Sequence, residues 1–351
     1  MNAVSSVTRP EVVPDRGRTG NGRRSAGLLV SGVALLVVCV LSLVVGAKAI
    51  PASTVVDAFV AFDPTNNDHL FVRLERVPRT VLGLLVGLAL GLAGTVMQAV
   101  ARNPLADPGI LGINAGASLL VVLGITTFGL TTLSGYVWFG FVGAALAAVV
   151  VYGVSSLGRE GATPIKLALA GAAANAAFVS FTTAVLLTNS DAFEQFRLWQ
   201  VGSLAGRNWE VVTSVTPFIA IGAVVALLSG GLLNTLALGD DMARALGQNI
   251  TRARVLSGLS VVLLCGAATA AAGPIGFVGL AIPQVARLIS GPDNRWLLPY
   301  AALLAPVLVL GADVLGRVIA RPGEVQVGIL TAVVGAPVFI ALVRGRRVSS
   351  L

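Results

Sequence analysis

The stretch Val81-Leu82-Gly83-Leu84-Leu85-Val86-Gly87-Leu88-Ala89-Leu90-Gly91-Leu92-Ala93-Gly94 carries no polar side chain, and no charge interrupts the chain from Thr80 to Ala101. A run of about 20 such residues spans the ~30 Å hydrocarbon layer of a bilayer. In lipid every backbone amide must be satisfied internally, so a spanning segment is a helix or a strand of a closed barrel. Barrel strands alternate polar and apolar residues, and this run does not alternate. It is therefore a membrane helix. Gly83, Gly87 and Gly91 recur every four residues, with Gly94 close to that step, a spacing that lets helix backbones approach closely. The same holds for Ala168, Gly171, Ala172 and Ala174. These small residues read as packing surfaces and not as contacts with a cargo.

Outward from this run, similar blocks fall at about 27–48, 79–101, 110–129, 136–157, 166–187, 211–234, 255–273, 276–290, 297–315 and 327–343. The eighth is short for a crossing. Of 351 residues, 56% are apolar and 11% charged, against about 25% charged in soluble domains. A water-soluble enzyme is excluded. The expected fold class is an all-α polytopic membrane protein of ten transmembrane helices.

The net charge of +8 would suit a nucleic-acid binder, but its placement argues otherwise. Arg9, Arg16, Arg18, Arg23 and Arg24 precede the first block, and Arg344, Arg346 and Arg347 follow the last. Basic residues flanking spans stay on the cytoplasmic side. Both termini are thus expected inside, with 1–26 a basic tail, 27–343 the transmembrane domain and 344–351 a second tail. The block Ala26 to Ala47 is too long for a typical signal-peptide core and is read as a retained span.

A short echo suggests an internal repeat. Asp107-Pro108-Gly109-Ile110-Leu111-Gly112 follows the second span and Gly273-Pro274-Ile275-Gly276-Phe277-Val278-Gly279 follows the seventh. With the expected topology these turns lie on opposite faces, as an inverted repeat of spans 2–5 and 7–10 would place them.

Polar residues concentrate in three places. Arg102-Asn103-Pro104-Leu105-Ala106-Asp107-Pro108-Gly109 is punctuated by two prolines, each disfavouring helix in the residue before it. An ordered turn follows. The stretch Leu238 to Val255 is the longest polar insertion on the expected cytoplasmic side. Asp240 or Asp241 can cap a short helix there, Met242, Ala245 and Leu246 share one face, and Gly247 ends it. An amphipathic helix resting on the bilayer is one reading; a knob that docks into a partner protein is the better one. On the expected outer side lie Arg73, Glu75, Arg76 and Arg79 before the second span, with Arg317 and Arg321 between the last two. Snorkelling anchors would look similar, yet basic residues are disfavoured outside, and their grouping points to an acidic partner.

Absences narrow the energy source. A phosphate-binding loop needs Gly-x-x-x-x-Gly-Lys-Ser/Thr, but Lys48 precedes Ala49 and Lys166 precedes Leu167. Ion-coupled carriers hold an ionisable residue mid-span, and Asp313 is the one candidate, near a span end. Cys39, Cys265 and His69 form no metal-binding cluster. No catalytic residue, metal or cofactor is expected, and the energy must come from another chain.

The chain closely resembles the FecCD-type permeases of ABC importers for ferric siderophores, haem and cobalamin. The resemblance runs from Arg73 to Leu342. It rests on Arg76-Val77-Pro78-Arg79-Thr80, Met97-Gln98 with Asn103-Pro104-Leu105-Ala106-Asp107-Pro108, Trp199-Gln200-Val201-Gly202-Ser203-Leu204 with Trp209, the Leu238 to Val255 stretch, Gly273 to Leu280, and Val327-Gly328 with Gly335-Ala336-Pro337. It implies a non-enzymatic permease subunit of the plasma membrane. Its implied partners are a second permease, identical or related, two cytoplasmic ABC ATPase subunits and an extracytoplasmic solute-binding protein. Ferric siderophores are the implied cargo, with cobalamin or haem the alternative; an ion-coupled secondary transporter is a more distant one. By resemblance, Arg76, Arg79 and Arg317 pair with acidic residues of the binding protein. Asp240, Asp241, Ala243, Arg244, Leu246 and Gly247 belong to coupling helices in the ATPase groove. Asn103 and Leu105 belong to a cytoplasmic gate faced by the Ala162 to Ile165 turn, including Thr163. The chain departs from the family where Gln284 and Asn294 replace frequent histidines, positions that are not catalytic groups.

Overall fold

The computed structural model describes residues 21–130, 132–157 and 163–345. Among them every regular element is helical: α1 (Asn21–Val44), α2 (Ala52–Val60), α3 (Asn67–Phe71), α4 (Val77–Ala101), α5 (Ile113–Phe128), α6 (Leu133–Ser155), α7 (Pro164–Thr188), α8 (Ser190–Gln200), α9 (Trp209–Leu228), α10 (Gly230–Ala237), α11 (Asp240–Ala245), α12 (Ile250–Ala272), α13 (Val278–Ser290), α14 (Asn294–Ile319) and α15 (Val327–Gly345). The expected tail residues 1–20 and 346–351, and Ala162 of the expected gate-facing turn, lie outside the described residues.

Among the described residues, seven helices are long and apolar enough to cross a membrane, and α5, α13 and the apolar part of α15 are shorter. Together they match the ten apolar blocks. The eighth block differs most from a full crossing: α13 has 13 residues, ~20 Å of helix at 1.5 Å per residue. Gly273 and Phe277 both take positive φ before it, so the chain turns sharply between α12 and α13. The sixth block is also not one helix. It breaks at Ser229 into α9 and α10, where the Ser229 hydroxyl donates to Ala226 O at 2.7 Å.

The run that decides the fold, α4, is the centre of the bundle and packs against α14, α12, α13 and α9. A methyl group on Gly87 would strike the backbone of Ala305 and Pro306, and one on Gly94 the backbone of Gly279. Those two glycines are required by close approach. Gly116 and Gly143 meet in the same way where α5 crosses α6. The chain enters α4 through a π turn at Val72–Arg76, making Asn67–Ala101 one continuous 35-residue helix. By contrast, α1 and α7 expose most of their apolar surface.

Candidate functional site

Arg79 and Arg102 stand near the two ends of α4, ~35 Å apart along its axis. Each anchors a charged cluster.

At the Arg102 end, α4 stops because Arg102 takes the left-handed conformation, φ 49°. Asn103 then accepts from Leu105 N–H at 2.9 Å, and Asp107 accepts from Gly109 N–H at 2.7 Å. These two local bonds build the turn that the prolines announce. Asn103 and Leu105 are exposed on it. The Thr163 hydroxyl accepts from Lys166 N–H and caps the start of α7.

The same Arg102 reaches sideways. Its Nε donates to Leu236 O at 2.8 Å and its Nη2 is bonded to the Asp240 carboxylate. Arg254 Nη2 grips the other oxygen of Asp240 at 2.9 Å. Burial works to raise the Asp240 pKa, but the Arg102 hydrogen bond and the charges of Arg254, Arg102 and Arg244 outweigh it, and the carboxyl is held below its usual range. Asp240 and Asp241 occupy the first turn of α11, where the helix dipole favours negative charge. The capping position itself belongs to Gly239, φ 103°, not to either aspartate.

α11 presents two faces. Ala243 is fully buried and Asp240, though partly exposed, turns toward Arg102 and Arg254, so these two brace the helix from behind. Met242 at 54% and Leu246 at 62% exposure point outward, with Ala245, Gly247 and the exposed pair Arg244–Asp241 around them. Large apolar side chains at the tip of a loop cost solvation unless something covers them.

Gln98 and Gln284, already singled out in the sequence, meet in a polar network whose bonds the sequence reading did not foresee. Gln284 Nε2 donates to Pro104 O at 2.8 Å and to Gln98 Oε1 at 3.1 Å. Gln98 Nε2 reaches the carbonyls of Gly279 and Leu280, both at 3.3 Å. Arg287 approaches Gln98 Oε1 and Gln284 Oε1 at 3.5 Å. The 103–107 turn is thereby tied to α13. A glutamine inside an apolar span was the available signal.

At the Arg79 end the arginines do not line an open surface. Arg76 and Arg317 are each 3% exposed. The last carbonyls of a helix lack intrahelical donors, and these side chains supply them to α1. Arg76 donates to Leu43 O, Val44 O and Lys48 O at 2.7, 2.9 and 2.6 Å. Arg317 donates to Ser42 O at 2.9 Å and Val45 O at 3.2 Å, and Arg321 to Gly46 O at 2.8 Å. Arg76 and Arg317, two of the residues expected to dock a binding protein, are covered here by the end of α1. Arg79 is bound to Asp313 at 2.7 Å and Glu324 at 2.8 Å, and Arg317 shares Asp313 at 2.8 Å. Asp313 is thus the shared counter-ion of a buried cluster.

Residues 34–345 match the FecCD transport family. The chain is 44% identical over 344 residues to the ferric enterobactin transport system permease protein FepD of Escherichia coli (strain K12), covering 98% of each chain. It is 37% identical over 286 residues to the hemin transport system permease protein HmuU of Yersinia pestis, covering 80% of this chain and 84% of that one. A solved metal-chelate type ABC transporter in an inward-facing conformation superposes with a TM-score of 0.80 at 26% identity, over 92% of this chain and all of the other. With this agreement in sequence across nearly the full length and in helix arrangement, the chain belongs to the FecCD transport family.

Proposed function

We propose that the chain is the permease subunit of an ABC importer in the plasma membrane and that it moves a ferric siderophore inward. Its ten apolar helices cross or enter the bilayer with both termini cytoplasmic, and spans 2–5 and 7–10 form an inverted repeat. It works as a dimer with an identical or related permease, is driven by cytoplasmic ATPase subunits and is fed by an extracytoplasmic binding protein.

The observation that carries this reading is the construction of α11. Its exposed Met242 and Leu246 form an apolar tip that suits a groove on an ATPase, and its buried side is fastened through Asp240 to Arg102. Arg102 is also the residue at which α4 ends and the 103–107 turn begins. A push on α11 is therefore transmitted to Asn103 and Leu105, the proposed inner gate, without crossing a flexible segment. Asp241, Arg244 and Gly247 complete the docking face, while Asp240 and Ala243 support it. Thr163, at the start of α7, stays a proposed gate neighbour.

Binding-protein docking at Arg76, Arg79 and Arg317 is retained with one structural condition. Arg76 and Arg317 must first release the carbonyls of α1, so acidic side chains compete with backbone acceptors for them. The siderophore assignment is supported by FepD at 44% identity; haem is the second reading, favoured by HmuU at 37%. Reconstituting the chain with its partner subunits and measuring ATP-dependent uptake of labelled ferric enterobactin, haemin and cobalamin tests it. Saturable ferric-siderophore uptake is expected, and ATP-driven haemin or cobalamin uptake without it would refute the cargo assignment.

A further inference from the structure

The connection between α8 and α9, residues 201–208, holds a charge that the transport reading does not use. The segment is well anchored. Ser203 N–H donates to Ala272 O at 2.7 Å and Gly328 N–H to Gly202 O at 3.1 Å, which fastens it to the end of α12 and the start of α15. Near its far end sits Arg207, only 4% exposed. Its Nε has no hydrogen-bond partner, and among the described residues no carboxylate pairs with it.

The contrast with the α1 end is sharp, because Arg76, Arg79 and Arg317 each have several acceptors for their guanidinium groups. An unpaired buried charge is costly and normally acquires a partner. Burial pushes the Arg207 guanidinium down to about 10, with Tyr136 opposing, so it is still protonated at neutral pH. Tyr136 already spends its hydroxyl proton on Gln195 Oε1 at 2.9 Å. A planar guanidinium fork matches the two oxygens of a carboxylate or phosphate.

We propose that the 201–208 connection is an anion-binding site in which Arg207, beside Tyr136, receives a compact oxyanion, a carboxylate or phosphate. The anion comes either free from solution or from the phosphate of an acidic lipid headgroup. Because the segment is bonded to Ala272 and Gly328, an anion held there stiffens the approach to the sharp Gly273–Phe277 turn.

The test uses the full-length chain in phosphatidylcholine nanodiscs, comparing its melting temperature in inorganic phosphate and in chloride at matched ionic strength. It is repeated in nanodiscs containing phosphatidylglycerol without added phosphate. The parent is expected to melt higher in one or both anionic conditions. A rise with phosphate in phosphatidylcholine assigns a free oxyanion, and a rise confined to phosphatidylglycerol assigns the headgroup. Arg207→Met should abolish the rise while melting at or above the parent in chloride, since it removes an unpaired charge. Arg207→Lys, which keeps the charge but lacks the fork, should retain less than half of it. The proposal fails if the parent shows no rise in either condition or if Arg207→Met shares the rise, which marks an adventitious ion only. It fails equally if Arg207→Met melts well below the parent in chloride, since the arginine then has a partner within the protein. Transport is not read in any arm, so the outcome is independent of the importer assignment.

Discussion

At one end of α4, Arg76 and Arg317 are buried and Arg79 is partly buried, and their guanidinium groups are spent on carbonyls at the end of α1 and on Asp313 and Glu324. At the other end, Arg102 and Arg254 turn inward onto Asp240, and the groups left in the open are Met242, Leu246 and Arg244. In sequence both ends look like charge arranged for a partner. In the fold the first holds the chain's own helices together, and the second holds a small apolar tip away from them. What separates them is the availability of unsatisfied backbone: α1 ends beside the first cluster and delivers bare carbonyls to it, whereas α11 is too short to bury its own outer face.

The largest effect expected from breaking this contrast is at Asp313. Asp313→Ala strips the shared counter-ion from the buried Arg317 and the partly buried Arg79, a change of the kind that costs about 3–5 kcal/mol. The purified protein should show a marked fall in melting temperature. A fall no greater than that of an exposed-residue variant would mean the cluster is not structural.

Met242→Asp combined with Leu246→Asp should do the reverse. Both side chains are exposed, and surface substitutions usually change stability by under about 0.5 kcal/mol. Melting should be unchanged while ATPase co-purification and ATP-driven uptake fall at least tenfold, an amount equal to about 1.4 kcal/mol of lost association.

Arg102→Gln lies between these extremes. It cuts the link from α11 to the gate turn but leaves the apolar tip intact, so the ATPase should still co-purify while uptake per ATP hydrolysed declines severalfold. Stability should drop by about 1 kcal/mol, since the Arg102–Asp240 pair is partly solvated. Loss of ATPase binding would show that Arg102 shapes the docking face itself.

The smallest effect concerns pH. The Asp240 carboxyl is held below its ordinary 3.8, so its contribution is present above that value and is lost as acid protonates it in the folded state. The melting difference between the parent and Asp240→Asn should persist near neutrality and begin to shrink only below the ordinary 3.8, as acid reaches the depressed folded value.

Legibility in the sequence followed the range of the interaction. The spans were readable because an uncharged run such as Thr80 to Ala101 has one stable form in lipid. The 102–109 turn was readable because proline and Asx geometry act within a few residues. The face of α11 was half readable: Met242, Ala245 and Leu246 emerge together as expected, but the inward turn of Asp240 depends on Arg102, 138 positions away. The burial of Arg76 and Arg317 was not readable, because their acceptors are backbone carbonyls 28 to 33 and 272 to 275 residues distant. Backbone acceptors leave no mark on residue type. The same applies to α13, whose shortness was visible but whose ties through Gln284 to Pro104 and Gln98 were not.

The central claim is that α11 offers its Met242 and Leu246 face, and not its Asp240 and Ala243 face, to the ATPase. Single cysteines at Leu246 and at Ala243, in a background with Cys39 and Cys265 replaced by serine, can be joined to a thiol-reactive photocrosslinker within the assembled complex. The account predicts efficient crosslinking to the ATPase from position 246 and little from position 243. Equal crosslinking from both positions, or none from 246, would contradict it.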